Sequence, residues 1–205
     1  AKSKVHFFSG KLINLSKTKL FGNHNKSNIA AATEVAKVLE IPQENIEKVL
    51  EDFPGVPSRM EFVAEISGAK YFNDTTATMP NAVEAAILAF FEKYNGSKII
   101  LIAGGAGKNL NYKELSDIIK AKVSNLIMLP GNASEKLIEE LAGWDSITEV
   151  SSMKEAVISA KSAAKQGDIV LLSPGAASFN LFKNEFDRGD QFVKFVKEFG
   201  NEKAF

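Results

Sequence analysis

The chain has 205 residues, a formal net charge of +0 at pH 7, 45% hydrophobic residues and no cysteine. That length suits one domain with an appendage or two small domains. Zero net charge gives no electrostatic footprint for a nucleic acid, and the lack of cysteine excludes a disulfide framework and thiolate metal sites.

No apolar run approaches the roughly 20 residues that cross a membrane, and Val5–Phe8 is too short for the apolar region of a signal peptide. Residues 1–22 alternate short apolar and polar groups, which predicts two or three short strands paired as hairpins. An amide-rich run, Asn23-His24-Asn25-Lys26-Ser27-Asn28, opens a helix over Ile29–Leu39, and a second helix is expected over Pro42–Phe53. Pro54-Gly55-Val56-Pro57 then breaks the chain and marks a boundary near Val56–Ser58.

From Arg59 the pattern becomes regular. Strands are predicted at Phe62–Ile66, Lys70–Asn73, Ile99–Ala103, Leu126–Leu129, Ser146–Val150 and Ile169–Ser173. Helical periods fill the intervals at Pro80–Lys93, Tyr112–Lys120, Ala133–Leu141, Met153–Lys165 and Leu181–Phe199. Strands alternating with helices imply βαβ units and a mainly parallel sheet. Ser67-Gly68 joins the first two strands as a hairpin, which places one antiparallel strand on that sheet. The expected fold is α/β: a Rossmann-like three-layer sandwich with a mostly parallel six-stranded sheet.

Several strands end in turns that carry chemistry. Tyr71-Phe72-Asn73-Asp74-Thr75-Thr76-Ala77-Thr78-Met79-Pro80 reads as a buried strand, a polar turn and a helix start, with Thr78 as N-cap and Pro80 in the first turn. Open α/β sheets bind ligands there, and free N–H groups at a helix start favour anions. Gly104-Gly105-Ala106-Gly107-Lys108 follows the third strand; its glycines allow close approach and Lys108 supplies a point charge, although the spacing is not that of a P-loop. Ser173-Pro174-Gly175-Ala176-Ala177-Ser178-Phe179-Asn180 follows the last strand, with small residues that admit a ligand and Ser178 as a donor. Each turn also has a plainer reading, as helix caps, a solvated lysine and a small-residue packing turn. Arg59, alone, reads as a surface charge, and Glu185–Asp190 reads as a helix kink or surface segment.

Together these segments resemble the carboxyl-terminal part of the Mur ligase family. The matching pieces are Gly22–Ala32, Gly55–Glu61, Asn73–Thr78, Gly104–Lys108 and Leu171–Phe179 with Phe186-Asp187-Arg188-Gly189; they occur in the family's order and cover nearly the whole chain. The resemblance implies that residues 1–57 are the tail of a central ATPase domain and 58–205 the complete amino-acid-binding domain. It implies an ATP- and Mg2+-dependent reaction through an acyl phosphate, with D-glutamate and UDP-N-acetylmuramoyl-L-alanine as substrates, in a cytoplasmic monomer that takes part in cell-wall synthesis. Asn25, Asn28, Arg59 and Asp74 would then serve the nucleotide, and Thr78, Lys108, Ser178 and Phe179 the amino acid. The P-loop, the magnesium ligands and the carbamylated lysine of the central domain are not in this chain, so it is expected to be an inactive fragment by itself.

The sequence departs from the family pattern at Ser58, where histidine is usual, at Thr76, where lysine is common, and at Asn180 in place of aspartate. The aromatic that commonly follows Lys-Asn is shifted, giving Lys183-Asn184-Glu185-Phe186. Two alternatives stay open: a sibling ligase for another amino acid, and a non-catalytic module that binds an amino acid or nucleotide. A dinucleotide oxidoreductase is disfavoured, because no Gly-x-Gly-x-x-Gly follows the first strand.

Overall fold

The computed structural model describes residues 4–107, 110–179 and 181–201. The chain divides into two compact units, Ala1–Gly55 and Val56–Phe205.

In the first unit the expected hairpins are absent among the described residues. Two short 3-10 turns stand there instead, Gly10–Leu12 and Leu15–Lys17. Side-chain capping explains the difference: Ser9 accepts from the Lys11 N–H and Asn14 from the Ser16 N–H. Such local bonds draw the backbone away from a sheet ladder. Helix α1 (Asn23–Val38) and helix α2 (Gln43–Asp52) follow, α1 starting six residues earlier than its apolar period suggests. Among the described residues of this unit, only Ile29, Ala30 and Ile46 are buried apolar side chains, while Phe7 and Leu12 are 87% and 92% exposed.

The second unit begins with strands β1 (Glu61–Ile66) and β2 (Ala69–Asn73), paired antiparallel. Ser67 and Gly68 both have positive φ, +52° and +79°, the two-residue turn whose twist matches flanking strands. Helix α3 (Pro80–Lys93), β3 (Ile99–Gly104), α4 (Lys113–Lys122), β4 (Val123–Leu129), α5 (Asn132–Glu140), β5 (Ile147–Glu149), α6 (Met153–Ala163), β6 (Ile169–Leu172) and α7 (Glu185–Asn201) complete it. The sheet order is β1-β2-β6-β3-β4-β5, and every pairing except β1–β2 is parallel.

All residues of β3 and β6 are buried, as a parallel sheet covered on both faces requires. Alternate side chains divide the core. Tyr71, Ile100, Ile102, Val170 and Leu172 pack with Met153 and Val157 of α6 and Phe192 and Val196 of α7. Phe72 points the other way, its ring 4.6 Å from that of Phe90 on α3; α3, α4 and α5 contact one another in sequence along that face.

Strand β6 lies between β2 and β3. The chain leaves β2 and β3 toward the α3–α4 face and leaves β6 toward α7 on the opposite face. Loops that part in this way open a crevice at the carboxyl ends of the strands. Helix α3 starts at Pro80 as expected, but its N-cap is Met79, and no side chain caps it. Thr78 lies one residue before that cap, where its N–H donates to the Thr76 carbonyl at 2.9 Å.

Gly189 sets how closely α7 approaches β2. A β-carbon built there would lie 2.6 Å from Thr75 Cγ2 and 3.1 Å from Asn73 Nδ2. Gly189→Ala is therefore expected to destabilise the fold by about 1–3 kcal/mol despite alanine's better helix propensity. Urea denaturation of the two proteins checks this; equal or higher stability for the alanine variant would contradict the packing argument.

Candidate functional site

The loops at the carboxyl edge of the sheet are joined by their backbones. The Gly104 N–H donates to Pro174 O at 2.8 Å and the Gly175 N–H to Ala77 O at 2.8 Å. Ala106 and Ala177 exchange two hydrogen bonds, at 2.9 and 3.0 Å. These bonds tie the turns that follow β2, β3 and β6 into one floor.

The glycine-rich turn is built for this stitching. Gly105 has φ +138°, and a β-carbon there would collide with Ala177 O. Its N–H donates to Ser134 Oγ at 3.0 Å, and the Gly107 N–H donates to Asn132 Oδ1 at 2.6 Å. The N–H groups of residues 104 to 107 thus all have protein acceptors. Close packing fills the β-carbon positions of Gly104 and Gly105 and leaves the role of Lys108 untouched.

Asp74 lies where β2 ends and is 6% exposed. One carboxylate oxygen accepts from the Met60 N–H at 3.1 Å and the other from Ser173 Oγ at 2.8 Å. Burial pushes its pKa up to about 6, against the opposing pull of Ser173, Met60 and the Arg59 charge. At neutral pH it is an anion held by neutral donors, with the Arg59 guanidinium near enough to be felt.

Next to it, Thr75 is fully buried, and Arg188 of α7 grips it. Arg188 Nε donates to Thr75 Oγ1 at 3.0 Å, Nη2 to Thr75 O at 2.8 Å, and Nη1 to Ala176 O at 3.1 Å. Thr75 Oγ1 in turn donates to Glu185 O at 2.8 Å. Burial lowers the Arg188 pKa to about 10, so the guanidinium stays charged at neutral pH.

The structure brings several of the expected residues to this floor. Asp74 and Ser178 are buried in adjoining turns, Thr78 is half-buried, and Phe179 is 73% exposed. Arg59 is exposed at the start of the second unit. Lys108 lies outside the described residues. Asn25 and Asn28 sit in the first unit, where Asn28 Nδ2 donates to Asn25 Oδ1 at 3.1 Å and Asn25 Nδ2 donates to Phe21 O at 2.8 Å. Sequence reasoning missed Ser173 and Arg188 as members of the network. The available signal was Gly189: an isolated glycine in a helical period marks close packing, and the residue beside it enters the core.

The raised pKa of Asp74 has a defined effect on stability. The folded state binds its proton more tightly than the unfolded state, so the stability tied to this group is present below about pH 4 and is lost as pH rises through about 6. Between pH 4 and 7 the chain is expected to lose about 1–3 kcal/mol relative to Asp74→Asn, which has no charge to bury. Urea titrations of both proteins across that range check this; parallel stability curves would contradict it.

Known proteins are similar to this chain. A family model described as "Mur ligase, glutamate ligase domain" matches residues 58–175. The UDP-N-acetylmuramoylalanine–D-glutamate ligase of Roseiflexus sp. (strain RS-1) is 42% identical over 184 residues, 88% of this chain and 38% of that protein. The ligase of the same name from Bdellovibrio bacteriovorus is 37% identical over 186 residues, 91% of this chain and 39% of that protein. The chain therefore spans about two fifths of the length of these relatives. Among solved structures, the UDP-N-acetylmuramate-alanine ligase MurC of Thermotoga maritima superposes with a TM-score of 0.69 at 15% identity, covering 91% of this chain and 40% of its own. MurF ligase of the same organism, in complex with ADP, gives 0.64 at 19% identity, covering 90% and 40%. These structures share the fold, and the family model spans more than half of the sequence, including the turns after β2 and β3 and the start of the turn after β6: the chain belongs to the Mur ligase family.

Proposed function

We propose that this chain is the carboxyl-terminal portion of an ATP-dependent ligase that joins D-glutamate to UDP-N-acetylmuramoyl-L-alanine in peptidoglycan precursor synthesis. The observation that carries the reading is identity of 37–42% with ligases of that name, sustained over 86–91% of the chain. In this reading, residues 1–57 are the tail of the central ATPase domain and 58–205 the amino-acid-binding domain. The sparse core of the first unit, with Phe7 and Leu12 in water, supports its place at the edge of something larger. As the family resemblance implies, the whole protein acts as a cytoplasmic monomer. Among the described residues no helix is long and apolar enough to cross a membrane.

The roles are those the family resemblance implies. Thr78, Lys108, Ser178 and Phe179 receive D-glutamate, with Lys108 pairing a substrate carboxylate. Asn25 and Asn28 contact the adenine nucleotide, Arg59 its phosphates, and Asp74 lies near its ribose or phosphates. The chemistry asked of these residues is positioning of an amine against an acyl phosphate and neutralisation of charge. The chain has no Gly-x-x-x-x-Gly-Lys-Ser/Thr loop, so turnover requires the rest of the ligase. In this reading the Mg2+ ligands belong to the central domain outside this chain; here both oxygens of Asp74 accept from protein donors.

A sibling ligase is the second reading, favoured by Thr76, which stands where the family commonly carries a lysine. One assay separates the two. The ligase containing this chain is expected to release ADP with D-glutamate and not with L-glutamate. Ser178→Ala is expected to raise the KM for D-glutamate about tenfold, the loss of one hydrogen bond to a charged group. Turnover with another amino acid and none with D-glutamate would favour the sibling.

A further inference from the structure

The segment that opens the second unit is folded against its own backbone preferences. Ser58 and Met60 have φ of +64° and +47°, a region that β-carbon sterics disfavour for both. They flank Arg59. Such backbone persists only where the surroundings impose it, and here they do. The Ser58 carbonyl accepts from Thr76 Oγ1 at 3.0 Å and from the Thr76 N–H at 3.4 Å. The Ser58 N–H donates to Glu61 Oε2 at 2.8 Å. On the other side of Arg59, the Met60 N–H donates to Asp74 Oδ1 at 3.1 Å. Asp74 is itself anchored to the next loop through Ser173. A flexible linker would need none of these bonds.

We propose that Thr76 and Asp74 are positioning residues for Arg59: they pin the backbone on both sides of it to the sheet's carboxyl edge, so that its guanidinium is presented to the anionic phosphates of the nucleotide from a fixed base. This rests on the ligase reading of Arg59. It also gives Thr76 a use. Where the family commonly has a cation, this chain has a hydroxyl that acts as a tether. The Arg59 side chain itself stays exposed, which leaves its charged end available while its main chain is held.

The clamp and its purpose are tested separately. Thr76→Val keeps the shape and removes the hydroxyl; Thr76→Ser keeps the hydroxyl. Native-state trypsin cleavage after Arg59, resolved by mass spectrometry, reads how often the segment opens, and exchange of the Met60 amide reads the Asp74 bond. For the valine variant, cleavage is expected to rise about tenfold and Met60 to lose protection, with the serine variant within about twofold of the parent. In the ligase containing this chain, the same valine variant is expected to raise the KM for ATP about tenfold and leave that for the amino acid within about twofold. Thr76→Ala, which cannot overpack, repeats the test should the valine variant misfold. Unchanged cleavage in the hydroxyl-free variants overturns the clamp, irrespective of any activity. Faster cleavage with an unchanged KM for ATP overturns the positioning role. If Arg59→Ala also leaves that KM unchanged, the error lies in the ligase reading of Arg59, and the clamp stands as structure alone.

Discussion

A buried guanidinium holds the carboxyl edge of this sheet together. Arg188 is fully buried, and its three hydrogen bonds all go to neutral oxygens, two on Thr75 and one on Ala176. Desolvating a cation costs several kcal/mol unless its surroundings compensate. Here the compensation comes from oriented carbonyl and hydroxyl dipoles, and those dipoles belong to the turns that follow β2 and β6. Each turn can satisfy the guanidinium only in one position relative to the other. The two carbonyls would themselves be left unpaired without it, at about 1–3 kcal/mol each. Gly189 completes the arrangement by letting α7 come close enough for the Arg188 side chain to reach across.

With that crossing fixed, the other turns have little freedom. Ala177 pairs with Ala106, Pro174 accepts from Gly104, and Gly175 bonds Ala77. Asp74 and Arg188 stand on either side of Thr75 as a buried anion and a buried cation with different partners. Asp74 is stabilised by Met60, Ser173 and the Arg59 charge, and Arg188 by main-chain and hydroxyl oxygens. Of the two donors to Asp74, Met60 belongs to the segment entering the unit and Ser173 to the turn after β6, while Arg188 joins the helix leaving the unit to the turns after β2 and β6.

The architecture of the second unit was legible because its physics is periodic. Helix α3 falls at Pro80–Lys93, as its apolar spacing and Pro80 indicate, and each strand lies within three residues of its expected ends. The Ser67-Gly68 hairpin was readable from turn chemistry. What was not legible came from bonds between residues far apart in sequence. Nothing in the polar run Glu185–Asp190 says that Arg188 turns inward to Thr75, 113 positions away. The glycines after β3 announced close approach, but not whether to a ligand or to Ala177. Residues 4–22 failed for the opposite reason: very local bonds from Ser9 and Asn14 overrode an alternation that reads as strand.

The two units also differ in what their own residues can support. The second fills both faces of its sheet with side chains that are wholly buried, from Ile87 and Phe90 to Phe192 and Val196. Such a core makes a rigid base, and a rigid base is what positions reacting groups within the tolerance that catalysis by proximity demands. The first unit, with three buried apolar side chains among its described residues, offers no comparable base. An arginine proposed to meet a nucleotide at a reproducible place is therefore better carried by the second unit's frame than by the chain that leads into it. The bonds from Thr76 and Asp74 do this: they make residues 58–61 part of the frame, although in sequence these residues adjoin the break at Pro54–Pro57.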